Sequence, residues 1–283
     1  MPDSELIPNL QLIPLHRLRF HEHTERRRTL RVMERIRTEC VLRNPPIVAD
    51  LPDGNFLLLD GANRATAFQE LGYSHLPAQV VDYGSGHIQL KGWHHLLIDG
   101  RRLRLREVYA ALPGVDLRPV ERERLSRLLE LRQVFAVLAE GEDACWGLFP
   151  DKPEPRIEVH ERIRVAEQVV AAYEGQSGIE RIKLAEFHRL PEVIRSADHH
   201  LCLFPVITKD EMLELAAEQV MIPTGLTRHL IPGRALGINL PLGFLRDLPD
   251  EAAKQRHFAA FIDRLEVEGR IRFYEEPVFI MNE

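Results

Sequence analysis

Cysteine is scarce in this chain of 283 residues. Its three thiols, Cys40, Cys145 and Cys202, are far apart and form no CxxC pair. That excludes a disulfide-stapled secreted scaffold and a four-thiolate zinc site, and it suits a reducing compartment. Long apolar runs are missing too: none approaches the roughly 20 residues that span a bilayer. The opening Met-Pro-Asp-Ser-Glu-Leu-Ile-Pro lacks the basic start and apolar core of a secretory leader. The expected location is therefore cytoplasmic, with no membrane partner. Aromatics are only 7% of residues and do not interleave with the basic runs Arg26-Arg27-Arg28 and Arg101-Arg102-Leu103-Arg104. Those runs read as solvated surface more than as a nucleic-acid grip. A net charge of -6 argues against a general nucleic-acid coat, though not against a local basic patch. P-loop, protein-kinase, GxSxG and HExxH signatures are all absent, and Gly84-Ser85-Gly86-His87 is too short for a dinucleotide fingerprint.

What is present is an ordinary globular composition, 45% hydrophobic and 28% charged, long enough for a large core or two modules. The pattern predicts an α+β fold. Residues 10–83 read as one α/β unit. It has a leading strand at Leu12, Ile13 and Leu15, a helix from about Thr29 that ends before Asn44-Pro45-Pro46, and strands at 47–49 and 56–59 around the turn Pro52-Asp53-Gly54-Asn55. A helix from about Arg64 to Leu71, stopped by Gly72, precedes a strand over 77–83. Extended pieces follow around His87–Lys91 and Trp93–Ile98, and 121–138 is helical in pattern. Further on come a helix near 160–174, strands at 180–184 and 201–207, a short helix from Asp210, a helix near 249–266 and strands around 270–280. Asp151-Lys152-Pro153-Glu154-Pro155 is the best boundary, giving expected divisions of 1–90, 91–150 and 151–283.

Leu57 to Arg64 carries the most chemistry. A buried strand delivers Asp60 to its C-terminal end, Gly61 permits a tight turn, and the helix beyond offers amides and Arg64 to an anion. A capped strand-to-helix turn with a solvated arginine has the same pattern. Before the first helix, Phe20-His21-Glu22-His23-Thr24-Glu25 could supply a general base at Glu22 or Glu25, or be a solvated acidic loop. Far downstream, Gly225-Leu226-Thr227-Arg228-His229 followed by Gly233-Arg234 combines glycines for close approach with hydroxyl and guanidinium donors for phosphate or carboxylate. A structural turn is the alternative. Trp93 could stack on a ligand or close a core.

Ile13-Pro14-Leu15, Asn44-Pro45-Pro46-Ile47-Val48 and Leu59-Asp60-Gly61-Ala62-Asn63-Arg64 through Leu71-Gly72 resemble the ParB/sulfiredoxin superfamily over about the first third of the chain. Many members carry histidines where Ala62 and Asn63 stand here. Phe20-His21-Glu22, Trp93, Gly225–His229 and Gly233-Arg234-Ala235-Leu236 extend the resemblance to the free L-serine kinase group, which has archaeal and staphylococcal members. That resemblance implies a ParB/sulfiredoxin-like N-terminal domain, with a mixed α/β C-terminal domain completing a cleft. It implies transfer of a phosphoryl group from ATP or ADP, with Mg²⁺, to the hydroxyl of free L-serine. Glu22 would be the base, and Asp60 would organise the metal or the attacking group. Gly61, Asn63, Arg64, Thr227, Arg228 and His229 would surround the nucleotide, with Trp93 and Arg234 at the substrate. The donor, a homodimeric assembly and a related hydroxylated amino acid as acceptor stay open. A ParB-like, nucleotide-responsive DNA-binding transcriptional regulator is the non-enzyme alternative. Sulfiredoxin chemistry is disfavoured, because no cysteine lies between Cys40 and Cys145.

Overall fold

The computed structural model describes residues 8–141, 144–152, 154–183, 193–194 and 196–273. The chain forms two units: unit 1 from Met1–Phe20, Thr24–Ile88 and Ile231–Glu283, and unit 2 from His21–His23 and Gln89–Leu230.

Unit 1 begins with β1 (Leu10–Pro14) and β2 (Leu18–Arg19), then α1 (Arg26–Glu39) and β3 (Val41–Leu42). The helix starts earlier than its apolar spacing predicts. It buries Thr29, Met33 and Ile36 on one face and ends where Cys40 turns left-handed at φ 50°. β4 (Ile47–Asp50) and β5 (Phe56–Asp60) form the expected antiparallel hairpin, followed by α2 (Ala62–Glu70) and β6 (His75–Val81). The turn is tightened by Asp53, whose carboxylate accepts from the Asn55 amide and side chain; these bonds lower its pKa. The sheet order is β1-β6-β4-β5-β2. Phe56 to Leu59 are all buried, so β5 carries a continuous apolar run as a strand covered on both faces requires.

Unit 2 starts with β7 (Gln89–Gly92) and β8 (His94–Leu97). It continues through α3 (Leu105–Ala110), β9 (Val115–Pro119), α4 (Leu125–Glu130), β10 (Ala136–Glu140) and β11 (Ala144–Pro150). α5 (Val159–Ala171), β12 (Ile179–Ile182), β13 (His200–Leu203), α6 (Lys209–Ala217) and β14 (Thr227–Leu230) complete it. Six strands make an antiparallel sheet in the order β12-β8-β13-β10-β11-β9, while β14 pairs with β7. Between α5 and α6, buried Glu211 accepts from Arg162 at 2.6 Å and Arg156 at 2.7 Å. Thr208 and Glu211 also close a reciprocal capping box on α6.

The chain then returns to unit 1 with β15 (Leu240–Pro241) pairing β3, α7 (Phe244–Asp247) and α8 (Glu251–Val267). Leu240, Leu242, Phe244, Leu245 and Phe258 share one core with Leu12, Ile13, Val48, Leu58 and Phe68. Gln255 donates to the Leu12 carbonyl at 2.7 Å.

Three expectations change. The helix over 121–138 stops at Glu130, because Arg132 adopts φ 55° and the buried run from Val134 to Ala139 leads into the central strand β10. The proposed break at 151–155 lies inside unit 2, since β11 before it and α5 after it belong to the same unit. The N-terminal block does not stand alone, since it needs the segment after 231 to fill its core. Residues 270–273 carry no strand, and the rest of the expected strands around 270–280 fall outside the described residues. Among the described residues no helix is long and apolar enough to cross a membrane.

Candidate active site

Each unit gathers its own share of the candidate residues. In unit 1, β5 ends at Asp60 and Gly61 turns the chain into α2 at φ 94°. Glycine is required there twice over: the backbone is left-handed, and a Cβ would lie 2.9 Å from the Arg64 guanidinium and 3.0 Å from Pro46. Arg64 reaches back one helical turn to Asp60 Oδ2 at 2.9 Å and donates to the Asn44 carbonyl at 2.8 Å. Arg234 pairs with the same Oδ2. Asn63 is turned the other way, its Oδ1 accepting from the Thr29 hydroxyl at 3.0 Å. Asp60 is therefore a carboxylate clamped by two guanidinium groups, and the N-terminus of α2 lies next to it.

Two residues that sequence reasoning missed build this corner. Gln79 is 4% exposed in β6; its amide donates to the Gly233 carbonyl and accepts from the Ala235 N–H, both at 2.9 Å. Asn44 accepts from the Gly237 N–H at 2.7 Å. Together they fasten the loop that presents Arg234. A glutamine inside the apolar strand His75–Val81 was a legible signal, because a buried amide must find partners. Arg64 also lines a small cavity with Val32, Ile36, Val41 and Leu42.

In unit 2, residues His21–His23 lie along the segment that leads into β14. Ile222 N–H donates to the His21 carbonyl at 2.8 Å, His23 N–H to the Ile222 carbonyl at 3.2 Å, and the Thr224 hydroxyl to the His23 carbonyl at 2.7 Å. These bonds fix Glu22, whose Oε2 accepts from the Gly225 N–H at 3.3 Å. His21 is 4% exposed and lies 3.2 Å from the Thr227 hydroxyl, with the His229 ring edge-on to it at 5.4 Å. The Trp93 N–H donates to the Leu226 carbonyl at 3.0 Å, and the Arg228 guanidinium covers the indole ring at 4.7 Å. Glu22, Trp93, Thr227, Arg228 and His229 thus form one neighbourhood. The expected run from Gly225 to Arg234 is divided, because Arg234 belongs to the Asp60 corner of unit 1.

Beneath this neighbourhood lies His95, 1% exposed. Burial lowers its pKa to about 4, and burial does the same to His94. Both imidazoles are neutral at physiological pH.

An acid held by a backbone amide, a carboxylate bracketed by arginines, and amides at a helix start are the parts that phosphoryl transfer to a hydroxyl uses. No family model matches the chain. Individual proteins do. The ATP-dependent L-serine kinase SbnI of Staphylococcus aureus is 24% identical over 280 residues, covering 97% of this chain and 98% of its own. The ATP-dependent L-serine kinase of Staphylothermus marinus is 25% identical, covering 83% and 90%. Among solved structures, C-terminally truncated SbnI superposes with a TM-score of 0.73 at 22% identity over 90% of this chain and 96% of that one. A free serine kinase in complex with AMP gives 0.66 at 20% identity over 86% and 98%. The fold is shared with these proteins, and the sequence likeness to curated L-serine kinases runs almost end to end.

Proposed function

We propose that the protein is a free L-serine kinase that transfers the terminal phosphoryl group of ATP or ADP to the serine hydroxyl, giving O-phospho-L-serine. The observation that carries this reading is Glu22 held by the Gly225 N–H, in a chain whose likeness to an L-serine kinase covers 97% of its length. Glu22 takes the hydroxyl proton as the serine oxygen bonds to phosphorus. The bond from that phosphorus to the bridging oxygen breaks, and the departing nucleotide keeps the electron pair. The reaction needs positioning and charge compensation more than a covalent nucleophile.

In this reading Gly61, Asn63 and Arg64 surround the nucleotide phosphates on a ParB/sulfiredoxin-like frame. The cavity beside Arg64, which mixes Val32, Ile36, Val41 and Leu42 with Arg35, Glu39, Arg43 and Asn44, would take the nucleoside. Thr227, Arg228 and His229 supply donors to phosphate or substrate, Trp93 serves the acceptor from the same neighbourhood, and Arg234 serves it as the partner of Asp60 in unit 1. Asp60 would hold Mg²⁺ bound together with the nucleotide. Both arginines reach Oδ2 of Asp60, and the same carboxylate would supply the protein's oxygen to the ion. Mg²⁺ would supply neutralisation of charge on the transferring group.

Incubation with serine, Mg²⁺ and either ATP or ADP, followed by mass detection of phosphoserine, tests the assignment and identifies the donor. Glu22→Gln is expected to lower kcat by about 10²–10⁴-fold, the usual contribution of a positioned base. No phosphoserine from wild type with either donor, together with salt-sensitive duplex binding, would instead support the DNA-binding regulator.

A further inference from the structure

The Gly225 N–H can hold the Glu22 carboxylate only if the Gly225 backbone itself is fixed, and one buried side chain performs that task. His95 Nε2 lies 2.9 Å from the Gly225 carbonyl and Nδ1 lies 2.7 Å from the Tyr173 hydroxyl. A carbonyl oxygen only accepts, so Nε2 carries the proton. Nδ1 is then the acceptor and Tyr173 the donor, which fixes the tautomer. Tyr173 is 0% exposed, and its ring and that of Phe204 meet His95 edge-on at 5.8 and 5.6 Å, which leaves the imidazole one orientation. From the neighbouring strand Arg181, paired in register with His95, packs against the Gly225 Cα so closely that a Cβ would meet its Nε at 2.1 Å. Gly225 itself sits at φ 80°. Its N–H faces Glu22, its carbonyl faces His95, and its Cα faces Arg181.

We propose that His95, oriented by Tyr173, is a positioning residue for Glu22: it anchors the Gly225 carbonyl so that the Gly225 N–H stays aimed at the Glu22 carboxylate. This rests on Glu22 being the base. His95 touches no reacting atom and exchanges no proton with substrate. Its contribution is the geometry of the base, and a group acting only through Glu22 has no effect once Glu22 is disabled.

A double-mutant cycle on the full-length protein tests this, with phosphoserine formation measured for His95→Gln, Tyr173→Phe and Glu22→Gln and for each of the first two combined with Glu22→Gln. His95→Gln is expected to lower kcat about tenfold, a modest share of what misplacing a reacting group costs, with both KM values changed less than about twofold. Tyr173→Phe keeps the buried ring and removes only the hydroxyl; it should lower kcat about threefold. In the Glu22→Gln background neither is expected to add a further loss. Full multiplication of the losses, with Glu22→Gln itself slow, overturns the role of His95 and leaves the base assignment standing. Wild-type turnover by Glu22→Gln overturns the base assignment and this proposal with it. Unchanged kcat in folded Tyr173→Phe and His95→Gln also overturns it, and circular dichroism and thermal melting establish that each variant is folded.

Discussion

Arg234 pairs with the Asp60 carboxylate across 174 positions of sequence, on the same oxygen that Arg64 reaches from one turn along α2. Removing the negative charge should release both guanidinium groups. Asp60→Asn is expected to lower kcat for phosphoserine formation at least about 10²-fold, the scale of losing a preorganised electrostatic group. Stopped-time assays with calorimetric titration of nucleotide check this; turnover within about twofold of wild type excludes a role for Asp60 in the reaction.

Gly225→Ala should disturb stability and turnover together. A left-handed non-glycine residue costs about 1–2 kcal/mol, and here the new methyl also collides with Arg181. Urea unfolding should show that loss, and kcat should fall because the N–H on Glu22 is displaced. A variant as stable and as fast as wild type would contradict the geometry at φ 80°.

Glu211 is 6% exposed at its side chain and faces Arg162, 3% exposed, at 2.6 Å. Burial opposes its ionisation. The Thr208 N–H and the Arg162 and Arg156 guanidinium groups outweigh that, and its carboxyl falls from 4.5 to about 2. Glu211→Gln strands Arg162 and is expected to destabilise by about 3 kcal/mol, measured by denaturant midpoint at neutral pH. A depressed carboxyl stabilises above its unfolded value, and the stabilisation disappears as pH falls through the folded one. The variant should therefore lose less stability than wild type between pH 4.5 and about 2.

The buried imidazoles give a separate acid window. Burial lowers His94 and His95 from 6.5 to about 4, and lowers His200 as well. The unfolded chain takes up protons that these rings refuse, so stability is present above pH 6.5 and declines as pH falls towards about 4. Denaturant midpoints should drop between pH 7.5 and 5, and His95→Gln should flatten that slope. An unchanged slope means that His95 does not titrate differently on folding.

Arg228 over the Trp93 ring is a contact that a ligand anion would disturb, since the guanidinium serves ring or phosphate. With Trp146→Phe leaving Trp93 as the lone indole, adding nucleotide or serine is expected to change Trp93 emission, and Arg228→Met should abolish the change. No emission change at saturating ligand separates Trp93 and Arg228 from the binding event.

Much of unit 1 was readable because its signals are local. Asn44-Pro45-Pro46 ends α1, Pro52-Asp53-Gly54-Asn55 turns the β4–β5 hairpin, and Gly61 marks the corner where Asp60 emerges. Glu22 stood out only against an uninformative acidic loop, since nothing near it in sequence indicates that Ile222 and Thr224 hold it. The helix expected to reach 138 failed because its apolar positions also satisfy a buried strand, and the left-handed turn at Arg132 decides between them.

Sequence alone determined the alternation of elements, the position of Asp60 at the end of a buried strand, and the glycines that turn left-handed. Short-range sterics, helical and strand periodicity, and the prohibition on helix before proline fix these without reference to the rest of the chain. Tertiary structure decided that residues after 231 fill the core of the first unit, that Gln79 and Asn44 hold the Arg234 loop, and that His95 and Arg181 fix Gly225. Those choices depend on burying apolar area and on pairing buried polar groups such as Gln79 and His95 across long separations, which only the assembled chain can satisfy.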